Sequence, residues 1–288
     1  MLETSERRLR MRKNAGVLFT VLLLVGLLSV PLSSSAGVLK VAGSGGMISL
    51  VTELADAYMK AHPETRIEVK QKSIEAKGGI IGASKGLLDI GMAARNLKES
   101  EKSLGLEVHE IARVALVIGV NADTVKTPEG ITSEQLCNIY TGKIKNWQEV
   151  GGVDRPIKPL TRPDADSTKV TVRKSVPCFR DLKEPSEVVV MPKSKDMFRA
   201  LMNTPYAIGL TDLVAVGRSG GKIRALKLDG IVPSPETVRS GRWPVVKHLN
   251  LLLGKKRSKE AYDFISFIRS PEGQAIIKKN MAVPVGGR

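Results

Sequence analysis

The sequence is poor in aromatic residues, histidine and cysteine. Aromatic side chains make up 4% of its 288 residues, and it contains three histidines and two cysteines. Proteins that bind single-stranded nucleic acid stack bases on aromatic side chains, which are too scarce here for such a surface. His62, His109 and His248 are isolated and lack the spacing of metal ligands. The composition therefore argues against a nucleic-acid partner and a histidine-based metal site.

The two cysteines, Cys137 and Cys178, have neither the spacing of a metal site nor that of a redox motif. In an oxidising compartment they could form a structural disulfide. They could equally be two separate buried thiols. The sequence leaves both alternatives open.

The first 36 residues have the pattern of a secretory signal peptide. A basic stretch that ends at Lys13 precedes an apolar run at 17–30, and Pro31 follows it. Small residues at 34–36 predict cleavage after Ala36, and an uncleaved membrane anchor is the alternative. Because no cysteine lies nearby, a lipid anchor is excluded. We expect a periplasmic or otherwise extracytoplasmic protein that meets the membrane only through this segment.

The formal net charge of the whole chain is +16. Removal of residues 1–36 takes away five positive and two negative charges and leaves about +13. A strongly basic protein favours anions as partners. Lys and Arg are scattered along the chain, and residues 255–259 form the one dense cluster. This distribution indicates a small anion or a solvated basic surface rather than nucleic acid.

Short apolar runs alternate with helical patterns, which predicts an α/β fold. We predict strands at 38–42, 67–70, 87–95, 111–121, 157–161, 206–210 and 248–253, and helices at 47–62, 77–86, 131–140, 258–270 and from Ser167 onward. Small or hydroxylic residues occupy three strand-to-helix junctions, at 43–47, 76–80 and 166–168, and Arg162 precedes the third. Free N–H groups and the helix dipole favour an anion at such junctions.

Catalytic patterns are weak. Ser44 in G-S-G-G lacks the G-x-S-x-G elbow, and the G-x-x-x-x-G-K-[ST] phosphate-binding pattern is absent. Asp164 and Asp166 form a D-x-D pair, but a Mg²⁺ or Ca²⁺ site would need further carboxylates. We therefore expect a protein that is not an enzyme and that holds no cofactor and no metal.

The order of several motifs resembles the periplasmic phosphate-binding proteins of ABC transporters, in the type II solute-binding superfamily. The matching segments are V-A-G-S-G-G-M from Val41, G-G-I-I-G-A-S-K-G-L-L-D-I-G-M-A-A-R-N-L from Gly78, V-A-L-V-I-G-V-N from Val114, I-T-S-E-Q-L-C-N-I-Y-T-G-K-I-K-N-W-Q-E-V-G-G from Ile131, P-L-T-R-P-D-A-D-S-T from Pro159, Y-A-I-G-L from Tyr206, and F-I-S-F-I-R-S-P-E-G-Q-A-I-I-K-K-N-M-A-V-P-V from Phe264. Together they span nearly all of the chain after residue 40.

This resemblance implies a two-lobed α/β clamp in which each lobe is a mixed sheet flanked by helices. Residues 37–115 and 250–288 would form one lobe and residues 116–249 the other. The two hinge strands would lie near 111–121 and 245–253. The anion would bind in the cleft between the lobes, and closure would present the complex to a membrane permease.

The resemblance also implies roles for single residues. Arg162 would bind the anion and Asp164 would brace Arg162, while Thr168 would supply a hydroxyl group. The full set of expected ligand-binding residues is Ser44, Gly45, Gly46, Lys77, Gly78, Arg95, Arg162, Asp164, Ser167 and Thr168. The partners implied are inorganic phosphate or a related oxyanion and an ABC permease, and we expect a monomer.

Four positions depart from the family pattern. The hydroxyl position of the family's first loop falls on Gly45, or on Ser44 if the loop shifts by one, and Ala76 stands where the second loop places a serine. Ala94 stands where the family places a carboxylate that accepts the phosphate proton. Asp166 replaces a serine, so it would either restore an acceptor or repel the anion. Each lost hydrogen bond costs about 1 kcal/mol. The alternative function is therefore a divergent relative with altered or lost phosphate affinity that acts as a sensor or scaffold.

Overall fold

The computed structural model describes residues 37–286, so the predicted signal peptide lies outside the described residues. The strands are β1 (Val38–Gly43), β2 (Arg66–Val69), β3 (Ile90–Ala93), β4 (Glu107–Asn121), β5 (Gly130–Ile131), β6 (Lys158–Thr161), β7 (Val189–Val190), β8 (Ala207–Asp212), β9 (Ile223–Ala225), β10 (Lys227–Leu228), β11 (Val246–Leu253) and β12 (Val283–Pro284). The helices are α1 (Ile48–Ala61), α2 (Glu75–Ser84), α3 (Glu99–Lys102), α4 (Ser133–Tyr140), α5 (Ser167–Ser175), α6 (Ser194–Asn203), α7 (Leu213–Arg218), α8 (Pro235–Arg239), α9 (Lys259–Arg269) and α10 (Pro271–Lys279).

One long strand, β4, joins the two halves of a mixed sheet. The strand order is β2-β1-β3-β11-β4-β8-β6-β7, and β9 and β12 also pair with β4. Residues 107–115 of β4 pair with β11, whereas residues 116–120 pair with β8. On one side of β4, β1 runs parallel to β2 and β3; on the other side, β6 runs parallel to β7 and β8. The mixed α/β class predicted from the sequence is confirmed, and the residue boundaries of the lobes stay a prediction.

Parallel pairing decides where the loops meet. Because β1 and β3 are parallel, the loops after Gly43 and after Ala93 leave from the same sheet edge. Because β6 and β8 are parallel, the loops that follow Thr161 and Asp212 also leave from one edge. Ligands of open α/β sheets bind beyond such carboxyl ends.

Helix α9 shows how the apolar pattern fixes a helix, and where that pattern misleads. Ala261, Phe264, Ile265 and Ile268 are buried at a spacing of three and four residues, and the side chain of Ser258 accepts a hydrogen bond from the Ala261 N–H. The same apolar spacing predicts that Tyr262, three residues before Ile265, also points inward, and this prediction is wrong. Tyr262 is 37% exposed, and its hydroxyl group donates to Glu107, because it lies on the flank of the helix.

Several element boundaries differ from the prediction. The central strand begins at Glu107 rather than 111, since three of its first four residues are polar or charged and the segment lacks the apolar run. Helix α2 begins at Glu75, two residues before the glycine-rich start that the sequence indicates. Five short strands and the helices α3, α6, α7, α8 and α10 were not predicted, because each is short or lacks a long apolar period.

The cysteines and tryptophans connect distant segments. Cys137 and Cys178 form a disulfide, which settles the question left open by the sequence and ties α4 to the turn at 177–179. The buried Trp243 indole N–H donates to the carbonyl oxygens of Leu116 and Val245, beside the point where β4 changes partners.

Within residues 37–286, no helix has both the length and the apolarity needed to cross a membrane.

Candidate functional site

The first loop of the site follows β1 and is held against the end of β3. A Cβ atom at Gly43, whose φ is +154°, would overlap the carbonyl oxygen of Met92, so glycine is required there. The Ser44 N–H donates to that carbonyl over 3.0 Å, and the Ser44 hydroxyl oxygen accepts from the Ala94 N–H over 3.0 Å. Gly45 then begins a 3₁₀ turn that continues into α1. Ser44 therefore keeps its hydroxyl proton free to donate at a helix start.

The third loop buries the predicted anion-binding arginine. Arg162 directly follows β6 and is 1% exposed. Its Nη2 donates to the Asp166 carboxylate over 2.7 Å, and its Nη1 donates to the Met191 carbonyl over 2.7 Å. Its Nε is buried without a hydrogen-bond partner among residues 37–286. A buried donor without a partner costs free energy, so an acceptor at Nε would be favourable.

Asp166 braces Arg162, and the predicted role of Asp164 is wrong. The Asp164 side chain is 74% exposed and pairs with Lys169 and Arg173, each over 3.0 Å. It points away because Asp166, two residues later, is the N-cap of α5 and turns inward. The second oxygen of Asp166 accepts from the Thr168 N–H over 2.9 Å. Both oxygens are thus occupied, so Asp166 compensates the charge of Arg162 and is not a free acceptor.

The pKa of Asp166 reflects this environment. Burial raises the pKa of the carboxyl group, but the hydrogen bond and charge of Arg162, the charge of Lys247 and the Thr168 N–H lower it by more. The net pKa lies below the ordinary value, so Asp166 is ionised at neutral pH. Arg162 and Asp166 form a buried ion pair that is neutral overall.

The predicted hydroxyl groups lie in the first turn of α5. Ser167 and Thr168 are 8% and 3% exposed. Their side-chain hydroxyl groups make no hydrogen bond to any residue from 37 to 286, whereas the Asp166 and Arg162 groups beside them are paired. These hydroxyl groups are donors available to a ligand.

The second loop is arranged differently from the prediction. Lys77 is exposed, and its side chain makes no ion pair within the described part of the chain. Gly78 packs against the side chain of Ile74 instead of a cleft, because it lies inside α2. Ser73 takes the place beside the first loop, since a Cβ atom at Gly45 would lie 3.1 Å from its Oγ.

Glu75, at the start of α2, reaches across to the loop before α6. Its backbone φ is +60°, the left-handed region in which a glycine would be less strained. Its carboxylate accepts from the Ser73 hydroxyl over 3.1 Å and from the Lys193 ammonium over 2.9 Å. This ion pair links a segment between β2 and β3 to one between β7 and β8.

The predicted ligand role of Arg95 is also corrected. Its two terminal nitrogens donate to both carboxylate oxygens of Glu101 over 2.7 and 2.8 Å. The hydrogen bond from Arg95 lowers the pKa of Glu101 and outweighs burial, which raises it. Such a bidentate pair uses the guanidinium donors that an anion would need. Arg95 therefore anchors the loop before α3.

Three polar residues at the site were missed by the sequence analysis. A Cβ atom at Gly46 would lie 3.5 Å from both the Asp212 carboxylate and the Lys247 ammonium, and 3.8 Å from the Ser194 hydroxyl. Asp212 ends a parallel strand, so the same reasoning that selected the other junctions could have found it. Lys247 and Ser194 carry no such signal, because one is the second residue of β11, just before its apolar run, and the other opens an unpredicted helix.

The assembled site favours an anion. Ser44, Ser167 and Thr168 supply hydroxyl donors, the α1 and α5 starts supply N–H groups, and Arg162 has an unused donor. Between residues 37 and 286 no group of three or more His, Cys, Asp or Glu side chains could hold a metal ion. Asp164 and Asp166 belong to different ion pairs, which contradicts the D-x-D metal interpretation.

Known proteins that are similar to this chain include phosphate-binding proteins. A PBP superfamily domain matches residues 31–272. The phosphate-binding protein PstS of Bacillus subtilis (strain 168) is 29% identical over 254 residues, which cover 87% of this chain and 82% of that protein. The PstS of Borreliella burgdorferi is 23% identical over 252 residues, 84% of this chain and 88% of that protein.

Solved structures of similar fold cover most of this chain. A phosphate ABC transporter substrate-binding protein from Clostridium perfringens, with bound phosphate, has a TM-score of 0.77 and 27% identity, and covers 87% of this chain and 100% of its own. An ABC-type phosphate transport receptor from Vibrio cholerae has a TM-score of 0.65 and 25% identity, with coverage of 85% and 99%. The two-lobed clamp predicted from the sequence is confirmed as the fold.

Proposed function

This chain belongs to the PBP superfamily, and we propose that it captures inorganic phosphate in the cleft between its lobes and delivers it to an ABC permease. The observation that carries the proposal is Arg162, which is buried, braced by Asp166 and left with an unpaired Nε donor. A buried guanidinium at a helix start is a favourable site for a tetrahedral oxyanion.

Together with Arg162, the donors of the first and third loops suit the four oxygens of a tetrahedral anion. Ser44 and the N–H groups after it approach from the loop after β1, and Ser167 and Thr168 approach from the start of α5. The substitutions at Gly45 and Ala76 remove two hydroxyl groups, but Ser73 and Ser194 lie beside Gly45. The Ser194 hydroxyl offsets one of these losses, whereas the Ser73 hydroxyl already donates to Glu75.

The comparisons favour phosphate over the alternative of a sensor or scaffold without phosphate affinity. The PstS protein of B. subtilis is named for phosphate binding, and the C. perfringens structure contains phosphate. We infer that Ser44, Gly45, Gly46, Arg162, Ser167 and Thr168 form the phosphate site, with Asp166 as the brace.

We infer that delivery of phosphate to the permease depends on closure of the two lobes around the anion. We infer that the lobes comprise residues 37–115 with 250–288 and residues 116–249, and that phosphate stabilises the closed arrangement. The Glu75–Lys193 ion pair would then hold the two lobes together. A permease that recognises the closed form would accept loaded protein, and we expect the protein to act as a monomer outside the cytoplasm.

Isothermal titration calorimetry of the purified protein with phosphate, sulfate and arsenate tests the proposal. We expect phosphate to bind and Arg162→Ala to weaken binding at least about tenfold, because a hydrogen bond to a charged group is worth roughly 1.5–3 kcal/mol. Arg173→Ala is the matched control, since Arg173 pairs with the exposed Asp164. Absence of binding at millimolar phosphate would overturn the function. Unchanged binding by Arg162→Ala would overturn the site.

A further inference from the structure

A second buried ion pair lies beside the anion donors. Lys247 on β11 donates to the Asp212 carboxylate at the end of β8 over 3.1 Å. Their side chains are 3% and 9% exposed. Isolated buried charges are costly, and such pairs contribute little net stability, so a buried pair beside a ligand site invites a functional explanation.

The pair lies where the loops of the site meet. The two charged groups are each 3.5 Å from the position that a Cβ atom of Gly46 would occupy. The charge of Lys247 also reaches Asp166 of the third loop, where it helps to lower the pKa of that carboxyl group. Lys247 therefore lies beside the first loop and within electrostatic range of Asp166.

The hydrogen bonds leave Lys247 able to bind a ligand, while Asp212 is occupied. An ammonium group has three donors, and one of them is directed to Asp212. The other Asp212 oxygen accepts from the Ala215 N–H at the start of α7. Since Asp166 balances Arg162, Lys247 is the second positive charge that an anion in this cleft meets.

We propose that Lys247 is a further anion-binding residue and that Asp212 positions its ammonium group and limits the net positive charge of the cleft. The proposal rests on the proposed function, because it assigns a residue to the same phosphate site. Lys247 donates to an oxygen of the anion. Asp212 keeps the empty cleft neutral, so the protein does not retain every anion with equal strength.

A double-mutant cycle at Lys247 and Asp212, measured by calorimetry with phosphate, tests this role. We expect Lys247→Met to weaken binding about tenfold or more, because it removes a charged donor and leaves Asp212 unpaired beside the anion. Asp212→Asn should instead tighten phosphate binding severalfold and tighten sulfate binding as well, because the cleft then carries a net positive charge. The double variant should bind more tightly than Lys247→Met alone.

The opposite effects of the two single variants on phosphate affinity distinguish a ligand contact from a structural role. If the pair only stabilises the fold, both single variants will weaken binding, because each leaves one buried charge without its partner. That result, or an unchanged dissociation constant for Lys247→Met, would overturn the proposal. Lys227→Met is the control for net charge, because Lys227 pairs with Glu129 in the small β5–β10 sheet.

Thermal denaturation with and without phosphate gives a second readout. We expect the phosphate-induced rise in Tm to grow in Asp212→Asn and to shrink in Lys247→Met, whichever variant is less stable without ligand. If the wild type binds no phosphate, the proposed function fails. If the wild type binds and Arg162→Ala does not, while Lys247→Met binds as the wild type does, only the role of Lys247 fails.

Discussion

Replacement of Asp166 by Asn should destabilise the protein strongly without removing the helix cap. Asp166 and Arg162 side chains are 5% and 1% exposed and are 2.7 Å apart, so the variant leaves a buried guanidinium without its counter-charge. Removal of one partner of a buried ion pair costs about 3–5 kcal/mol. Asn caps a helix about as well as Asp, so the bond to the Thr168 N–H can persist. We expect a loss of about 3 kcal/mol in the free energy of unfolding.

Urea denaturation in phosphate-free buffer at neutral pH measures this loss. Asp166→Ala should cost about 1 kcal/mol more than Asp166→Asn, because it also removes the cap. Asp164→Asn is the matched control, and a change within about 0.5 kcal/mol is expected for its largely exposed side chain. If Asp164→Asn destabilised the protein as much as Asp166→Asn, the assignment of the brace to Asp166 would be refuted.

Two further predictions concern pH and the disulfide. Because the pKa of Asp166 is lowered in the folded state, its charge contributes stability above the unfolded pKa of about 3.9, and that contribution is lost as the pH falls through the folded pKa. The stability difference between the wild type and Asp166→Asn, measured by urea denaturation from pH 7 to 3, should therefore stay constant above about pH 5 and shrink below about pH 4; a constant difference down to pH 3 would contradict it. Reduction of the Cys137–Cys178 bond, which joins residues 41 apart, should lower the free energy of unfolding by about 4 kcal/mol. The same reductant should leave a Cys137→Ser/Cys178→Ser variant unchanged, and an equal effect on both proteins would contradict the attribution to the disulfide.

Local patterns predicted the elements whose signal is contained in consecutive residues. The apolar spacing of α9 and the apolar run of β4 are visible in the sequence, because burial on one side of a helix or in a central strand requires them. Short elements such as α7 and β7 were missed, since two to six residues carry too little periodicity. The resemblance to phosphate-binding proteins supplied the overall clamp.

The site shows the limit of reasoning from neighbouring residues. The sequence places Arg162 in the third loop, where the structure buries it, but within D-A-D-S-T it assigns the brace to Asp164 instead of Asp166. The two carboxylates differ by which one caps α5 and turns toward Arg162, and the sequence does not encode that rotation in any simple pattern. Arg95 was misassigned for a similar reason, because its partner Glu101 lies in the unpredicted α3.

By itself, the sequence determined the α/β class and the positions of the first and third strand-to-helix junctions, because hydrophobic periodicity and small residues are local properties. It also determined that Arg162 stands at one of those junctions. Only the tertiary structure decided that Lys247 and Asp212, 35 residues apart, form a buried pair beside Gly46. Their proximity depends on β8 and β11 lying on either side of β4. Pairing of strands distant in the chain leaves no local signal, so charges brought together by it are found only in the folded protein.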